Sequence, residues 1–335
     1  MSRSAGSVRV LARSSLILVG LALALAGAWC GAHAQASSRV ARVGVIIQGG
    51  PYQAAVDGLR DGLKDVGLRE GEHLTLIVRD GKGDLKAVEA AARELERDGV
   101  NVIVSVATSV SLAVKKATTT VPIVFAVGSD PVVAGLVDSF AKPGGRLTGF
   151  HSLRTDTTGK RLEVLRELLP AGRRVLTFYS PGNRIARTSV AMGVEASQHL
   201  GWTFMAREVG TVEELRKAVR GLRRGEADAF FFVSDAMVNS QADLIIETAN
   251  AIKLPTMAYP ELVMTGALAG YGVSYRDVAR QAATYVRRLL AGEHARDLPV
   301  EAVSRLSLVF NMRTAKTLGI TLPQSLLLRA DQLVE

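Results

Sequence analysis

Residues 100–150 read VNVIVSVATSVSLAVKKATTTVPIVFAVGSDPVVAGLVDSFAKPGGRLTGF. The run Val102-Ile103-Val104-Ser105-Val106 is short, apolar and β-branched, the pattern of a parallel strand buried on both faces. It stops at Ala107-Thr108-Ser109, and a helical pattern follows from Val110 to Thr118. A second strand, Pro122 to Val127, stops at Gly128-Ser129-Asp130-Pro131. A short helix is then expected before Lys142-Pro143-Gly144-Gly145, and a third strand from Leu147 to Phe150. Ligands of open α/β sheets sit outside the carboxyl ends of the strands. Thr108, Ser109, Ser129 and Asp130 fall on those ends.

The same rhythm extends in both directions. Upstream, a strand from Val40 to Ile47 turns at Gln48-Gly49-Gly50-Pro51 into a helix over Tyr52–Val66, which Gly67 ends. A strand over Leu74–Val78 and a helix over Leu85–Asp98 follow. Downstream of Gly149, helices are expected over Thr157–Leu169, Arg184–Leu200, Thr211–Arg224 and Val238–Ile252. Strands are expected over Val175–Tyr179, Thr203–Glu208, Ala229–Val233, Thr256–Tyr259 and Ala267–Tyr271. Thr211 with Glu214 three residues on reads as a capping box. Each series holds about five strands, and strand–helix–strand repetition argues for parallel sheets covered by helices. The fold class is therefore α/β: two Rossmann-like lobes, each a parallel sheet flanked by helices, with a cleft between them.

The N-terminus reads as an export signal. Arg3, Arg9 and Arg13 precede a continuous apolar run, Leu16 to Ala28, too short for an ordinary membrane span. Ala32-His33-Ala34 has the small-x-small form of a cleavage site, so residues 1–34 are expected to leave; an uncleaved anchor is the alternative. The formal charge of +9 falls to +6 with those arginines. Cys30 is the only cysteine and leaves with the signal, because Trp29 before it does not suit lipid attachment. No disulfide or thiol chemistry then remains. The mature chain is expected to be soluble, periplasmic and monomeric.

The chemistry-bearing residues are sparse. The five histidines are scattered without metal-ligand spacing. Gln48-Gly49-Gly50-Pro51 lacks the spacing and the lysine of a phosphate loop, and no Gly-x-Ser-x-Gly elbow occurs. No cofactor is expected. Paired arginines such as Arg173-Arg174 and Arg223-Arg224 read as solvated charge, and no basic stripe interleaves with aromatics, so nucleic-acid binding is a poor fit. Polar groups at strand ends remain. Thr108 or Ser109 can cap a helix whose first N–H groups face an anion, although Ser and Thr cap helices anywhere. Asp130 and Asp235 can accept from an ammonium or hydroxyl, or simply cap the next helix. Asn183 offers a donor and an acceptor, or serves as a turn residue. Tyr52, Tyr259 and Tyr271 suit an apolar wall, or core. His151 reads as a hinge or surface residue.

Several motifs carry a resemblance. They are Val121-Pro122-Ile123-Val124-Phe125 with Asp130-Pro131-Val132 and Gly135-Leu136-Val137, Pro143-Gly144-Gly145 with Leu147-Thr148-Gly149, and Gly159-Lys160-Arg161-Leu162-Glu163. Gly266-Ala267-Leu268 with Tyr271-Gly272, and a tail with Leu298-Pro299-Val300, Asn311, Leu318-Gly319 and Arg329-Ala330-Asp331, complete the set. From Val40 to the C-terminus the chain resembles the ABC transporter substrate-binding proteins that include tryptophan- and tyrosine-binding members. The resemblance implies a type I periplasmic-binding fold with a hinged cleft. It places residues 40–149 and 274–299 in one lobe, and 150–273 and 300–335 in the other. It implies a small-molecule ligand, an amino acid or related carboxylate, delivered to a membrane ABC permease. It implies binding positions at Gln48, Thr108, Ser109, Asp130, Asn183, Asp235 and Tyr271, with Thr108 and Ser109 toward a carboxylate and Asp235 toward an ammonium. Ser109 stands where many relatives have proline, and only 5% of residues are aromatic. Two other functions fit the sequence: an exported sensor docking on a signalling receptor, and an exported two-lobe enzyme.

Overall fold

The computed structural model describes residues 40–152 and 157–335. The expected signal peptide over residues 1–34, with Cys30, lies outside the described residues. Among the described residues no helix is long and apolar enough to cross a membrane.

The chain first alternates strand and helix as β1 (Ala41–Ile47), α1 (Gln53–Asp65), β2 (Leu74–Asp80), α2 (Leu85–Arg97), β3 (Val102–Val106), α3 (Thr108–Ala117), β4 (Ile123–Val127) and β5 (Leu147–His151). It continues as α4 (Thr158–Leu168), β6 (Arg174–Tyr179), α5 (Arg184–His199), β7 (Thr203–Glu208), α6 (Val212–Arg220), β8 (Ala229–Phe231), α7 (Ala236–Asn239) and α8 (Ala242–Ala251). The last part holds β9 (Thr256–Ala258), α9 (Pro260–Val263), β10 (Ala269–Gly272), α10 (Tyr275–Leu290), β11 (Glu301–Ala302), β12 (Ser307–Asn311), α11 (Met312–Leu318), α12 (Gln324–Arg329) and β13 (Gln332–Val334).

Two sheets result, ordered β11-β5-β4-β3-β1-β2 and β13-β12-β10-β9-β8-β6-β7. Every pair is parallel except β10 with β12. β8 shows why such strands read as unbroken apolar runs: Ala229, Phe231 and Val233 join one apolar layer, Phe230 and Phe232 the other. The first sheet has its own core, from Val43 on β1 to Val278 and Val286 on α10.

Helix α10 lies against α1 at very short range. A Cβ on Gly58 would overlap the Arg276 carbonyl oxygen, and one on Gly62 would overlap that of Arg280. Asp61 pairs with Arg276, and Asp65 with Arg280 at 2.7 Å, along the same seam. The chain thus returns to the first sheet after β10. It leaves again only after β11, which pairs with β5. Tyr285 holds this segment by donating to the Pro299 carbonyl at 2.6 Å, and the Thr148 hydroxyl donates to that of Leu298 at 2.7 Å. Residues 301–302 therefore belong to the first sheet, where the resemblance implied that everything from 300 onward joins the second lobe.

Other expectations are corrected locally. No helix forms between β4 and β5. Asp130 Oδ1 accepts from the Val132 and Val133 N–H groups, and the turn over Pro131–Gly135 is not propagated. The helix expected over 238–252 is broken at Ser240–Gln241. His151 is buried at the end of β5, its ring 5.1 Å from that of Phe140.

At the end of α2, Glu96 clamps the turn that leads into β4. Its carboxylate accepts the N–H groups of Thr119, Thr120 and Val121 at 2.7–3.1 Å, and the Thr120 hydroxyl. Partial burial raises its pKa, but these donors outweigh burial and hold it down at about 2, against an ordinary 4.5. A carboxyl depressed in the native state stabilises fully above its unfolded pKa, and that stability disappears as pH falls toward the native value. After discounting for partial solvent exposure, Glu96→Gln is expected to lose about 1–2 kcal/mol at pH 7. The difference should shrink steadily below pH 4.5. Urea unfolding at pH 7 and pH 3 measures both; an equal loss at the two pH values would refute the assignment.

Candidate functional site

In each sheet the strand order reverses direction once. In the first, β1 lies between β2 and β3, so the crevice opens at the ends of β1 and β3. In the second, β6 lies between β7 and β8, so it opens at the ends of β6 and β8. The residues at those ends are Gln48, Ala107–Ser109, Ser180–Asn183 and Ser234–Asp235.

On the first side, Gln48 is 1% exposed, and neither its amide nitrogen nor its amide oxygen has a hydrogen-bond partner. Such a group costs roughly 1–3 kcal/mol while unsatisfied. Beside it, α3 starts from Ala107, not from a hydroxyl cap. Ala107 sits at φ 80°, ψ 149°, a conformation costly for a residue with a Cβ. Its surroundings hold it there. Its N–H donates to the Ala126 carbonyl, and its own carbonyl accepts from the Ser111 N–H and hydroxyl. Thr108 and Ser109 are thus the first residues of the helix, and no side chain caps its N–H groups. The Thr108 hydroxyl pairs with that of Ser129 at 2.8 Å.

On the second side, Asp235 caps α7, Oδ1 accepting from the N–H groups of Met237 and Val238 at 3.0 and 3.2 Å. Oδ2 accepts from the Ser180 N–H at 2.7 Å, and the Asn183 side chain adds a further bond. The carboxyl is almost fully buried, which raises its pKa against the lowering effect of these bonds. A carboxylate has about four lone-pair sites, so these donors occupy them all. Asn183 also caps α5 through its oxygen to the Ile185 N–H at 3.1 Å.

Two cavities meet here, sharing Ser109 and Asn183. The inner one is about 20 Å³, with Thr108, Ser234, Tyr52 and Tyr275 in its wall. The outer one is about 710 Å³, lined by Gln48, Ser180, Asp235 and Met237, with Lys86 and Arg216 also in its wall. The Tyr52 and Tyr275 rings lie 4.9 Å apart.

The structure brings Gln48, Thr108, Ser109, Asn183 and Asp235 to these cavities. Asp130 and Tyr271 line neither. Asp130 serves its own turn, and Tyr271 packs against the α4-side core of the second sheet. Tyr259 lies under the site with the Arg161 guanidinium 4.1 Å from its ring centre. Ser234, Tyr275 and Met237 are additions to the expected set. Ser234 was visible as the neighbour of Asp235. Tyr275 carried no signal in the sequence, and the structure makes it the first residue of α10. Among the described residues no group of three or more His, Cys, Asp or Glu side chains stands together to hold a metal.

Comparison with known proteins agrees with this architecture. A conserved domain protein from Vibrio cholerae superposes with a TM-score of 0.78 at 30% identity, over 88% of this chain and 100% of that one. An ABC domain from Streptococcus pneumonia in complex with L-Trp superposes with a TM-score of 0.77 at 25% identity, over 88% and 99%. The tyrosine-binding protein of Clostridioides difficile is 25% identical over 267 residues, 79% of this chain and 76% of that protein. With residues 40–334 also matching the family model, the chain belongs to the ABC transporter substrate-binding proteins.

Proposed function

We propose that the protein binds an amino acid with a bulky apolar side chain between its two lobes, outside the cytoplasmic membrane, and delivers it to an ABC importer. The observation that carries this reading is Gln48. A buried amide with both atoms unsatisfied, in a residue bordering a cavity of about 710 Å³, is matched by a ligand that both donates and accepts. A zwitterion does both. The uncapped start of α3 favours its carboxylate. The field of the buried Asp235 carboxylate favours its ammonium even though the oxygens are already bonded. In the outer cavity Met237 offers apolar surface to a side chain. The relatives named for tyrosine and solved with L-Trp point the same way.

The test is thermal unfolding of the purified protein with L-tryptophan, L-tyrosine, other amino acids, simple carboxylates and sugars. A ligand at 100 times its dissociation constant adds about 2.7 kcal/mol. Amino acids are expected to shift the transition and sugars to leave it unmoved. Gln48→Met keeps the chain length and removes the unpaired amide. It should raise ligand-free stability by about 1 kcal/mol and suppress the amino-acid shift. A shift from sugars alone, or a Gln48→Met protein that still responds fully, would reject the reading.

A further inference from the structure

We infer that Ser234 is a further ligand-binding residue, whose hydroxyl donates to the ligand carboxylate and is set in that role by Tyr259 and Arg161. The inference rests on the amino-acid reading. Arg161 is fully buried in α4, with its guanidinium between two rings, 4.3 Å from the centre of Phe231 and 4.1 Å from that of Tyr259. One of its Nη groups donates to the Met257 carbonyl on β9 at 3.2 Å. The Tyr259 hydroxyl lies 3.1 Å from that of Ser234, and Ser234 lines the inner cavity.

The direction of that hydroxyl pair decides what the cavity meets. If Ser234 donates to Tyr259, the cavity meets a lone pair. If Tyr259 donates, Ser234 turns its own proton to the cavity. A phenol O–H is in general the stronger hydrogen-bond donor of the two, so Tyr259 is assigned as the donor. Ser234 then joins the Thr108 and Ser109 hydroxyls and the open start of α3. No charged side chain lines this inner cavity. Its free volume, about 20 Å³, is that of one water-sized group. A carboxylate oxygen fits such a space and its donors; an amino-acid side chain does not. Tyr259 and Arg161 are positioning residues, because neither lines the cavity.

The test compares L-tryptophan with tryptamine, which lacks the carboxylate, by calorimetric titration of the wild type, Ser234→Ala, Tyr259→Phe and the double variant. Ser234→Ala should weaken L-tryptophan about tenfold, the scale of one hydrogen bond to a charged group, and leave tryptamine unchanged. Tyr259→Phe keeps the ring against Arg161 and gives up one hydroxyl bond, so its ligand-free melting temperature should fall only slightly. It should weaken L-tryptophan roughly threefold, and the double variant should be no weaker than Ser234→Ala alone. Equal losses for the acid and the amine, no loss in Ser234→Ala, or independent losses that add in the double variant would each overturn the role. A wild type that binds no amino acid at all would instead overturn the amino-acid reading, so the two failures separate.

Discussion

Gly58→Ala is expected to destabilise the protein by about 3 kcal/mol, although alanine is the better helix former by about 1 kcal/mol. The reason is the α1–α10 seam. Gly58 and Gly62 are spaced four apart, so they lie on one face of α1, and both face the α10 backbone. The atom an alanine would strike at either position is a backbone carbonyl oxygen, which no rotamer change can move. The helices must separate. Separation strains the Asp61–Arg276 and Asp65–Arg280 pairs and opens the packing of Val278 and Ala282 onto the first sheet. The double variant Gly58→Ala/Gly62→Ala should lose about 5 kcal/mol, less than twice the single value, since one displacement relieves both contacts. Gly159→Ala is the control. It lies in α4, where the nearest atom to an added Cβ is the Ala196 Cβ at 3.9 Å. There the intrinsic preference should win, with a gain of up to about 1 kcal/mol. Urea unfolding of the three variants measures this. A stabilised Gly58→Ala would show that the seam is looser than its geometry.

The α/β alternation was legible because buried strands such as β3, β4 and β8 are short apolar runs bounded by turn residues. β3, β4 and β8 fall within two residues of their expected limits. The order of the strands was not legible, and the site depends on it. Ser129-Asp130 and Ser234-Asp235 look alike in sequence, each ending a buried strand. β8 borders the switch point of its sheet, whereas β4 stands one strand away from its own. Asp235 therefore reaches the cavity and Asp130 does not. Pro131 also turns the chain immediately, so the Asp130 carboxylate is taken up by the next two N–H groups. The cap of α3 was misplaced for a related reason. Thr108 and Ser109 are preferred caps, but positive φ at Ala107 moves the cap back by one residue. The Ser111 bonds one turn on and a tertiary bond to the Ala126 carbonyl hold that backbone, and the tertiary bond leaves no local trace in sequence. Tyr271, expected at the cleft, lies on β10, whose partners are β9 and β12 and which borders neither switch point.

Asp235 joins scaffold and charge, and two substitutions separate them. Asp235→Ala removes the cap of α7, about 1 kcal/mol, and strands the half-buried Ser180 N–H, about 1 kcal/mol, while relieving the burial of a carboxylate. The expected net loss is about 2 kcal/mol in the ligand-free protein. Because the 180–183 turn and the start of α7 are both tied to this carboxylate, affinity for L-tryptophan should fall about a hundredfold or more. Asp235→Asn keeps an oxygen for α7 but sets an amide donor against Ser180, so it should lose about 1–2 kcal/mol. It also removes the charge. If that charge holds the ligand ammonium, Asp235→Asn weakens L-tryptophan but spares indole-3-propionate, which lacks the amine. The pH dependence follows from burial. The native carboxyl titrates above its unfolded value, so the native state holds the proton longer. Stability at this site is then greatest below the unfolded pKa and falls as pH rises through the native one. A bound ammonium favours the ionised form, so L-tryptophan affinity should rise with pH across the same window, and indole-3-propionate affinity should not. Asp235→Asn should flatten the tryptophan profile. A profile unchanged by that substitution would leave Asp235 as scaffold alone and move the ammonium to the Gln48 oxygen.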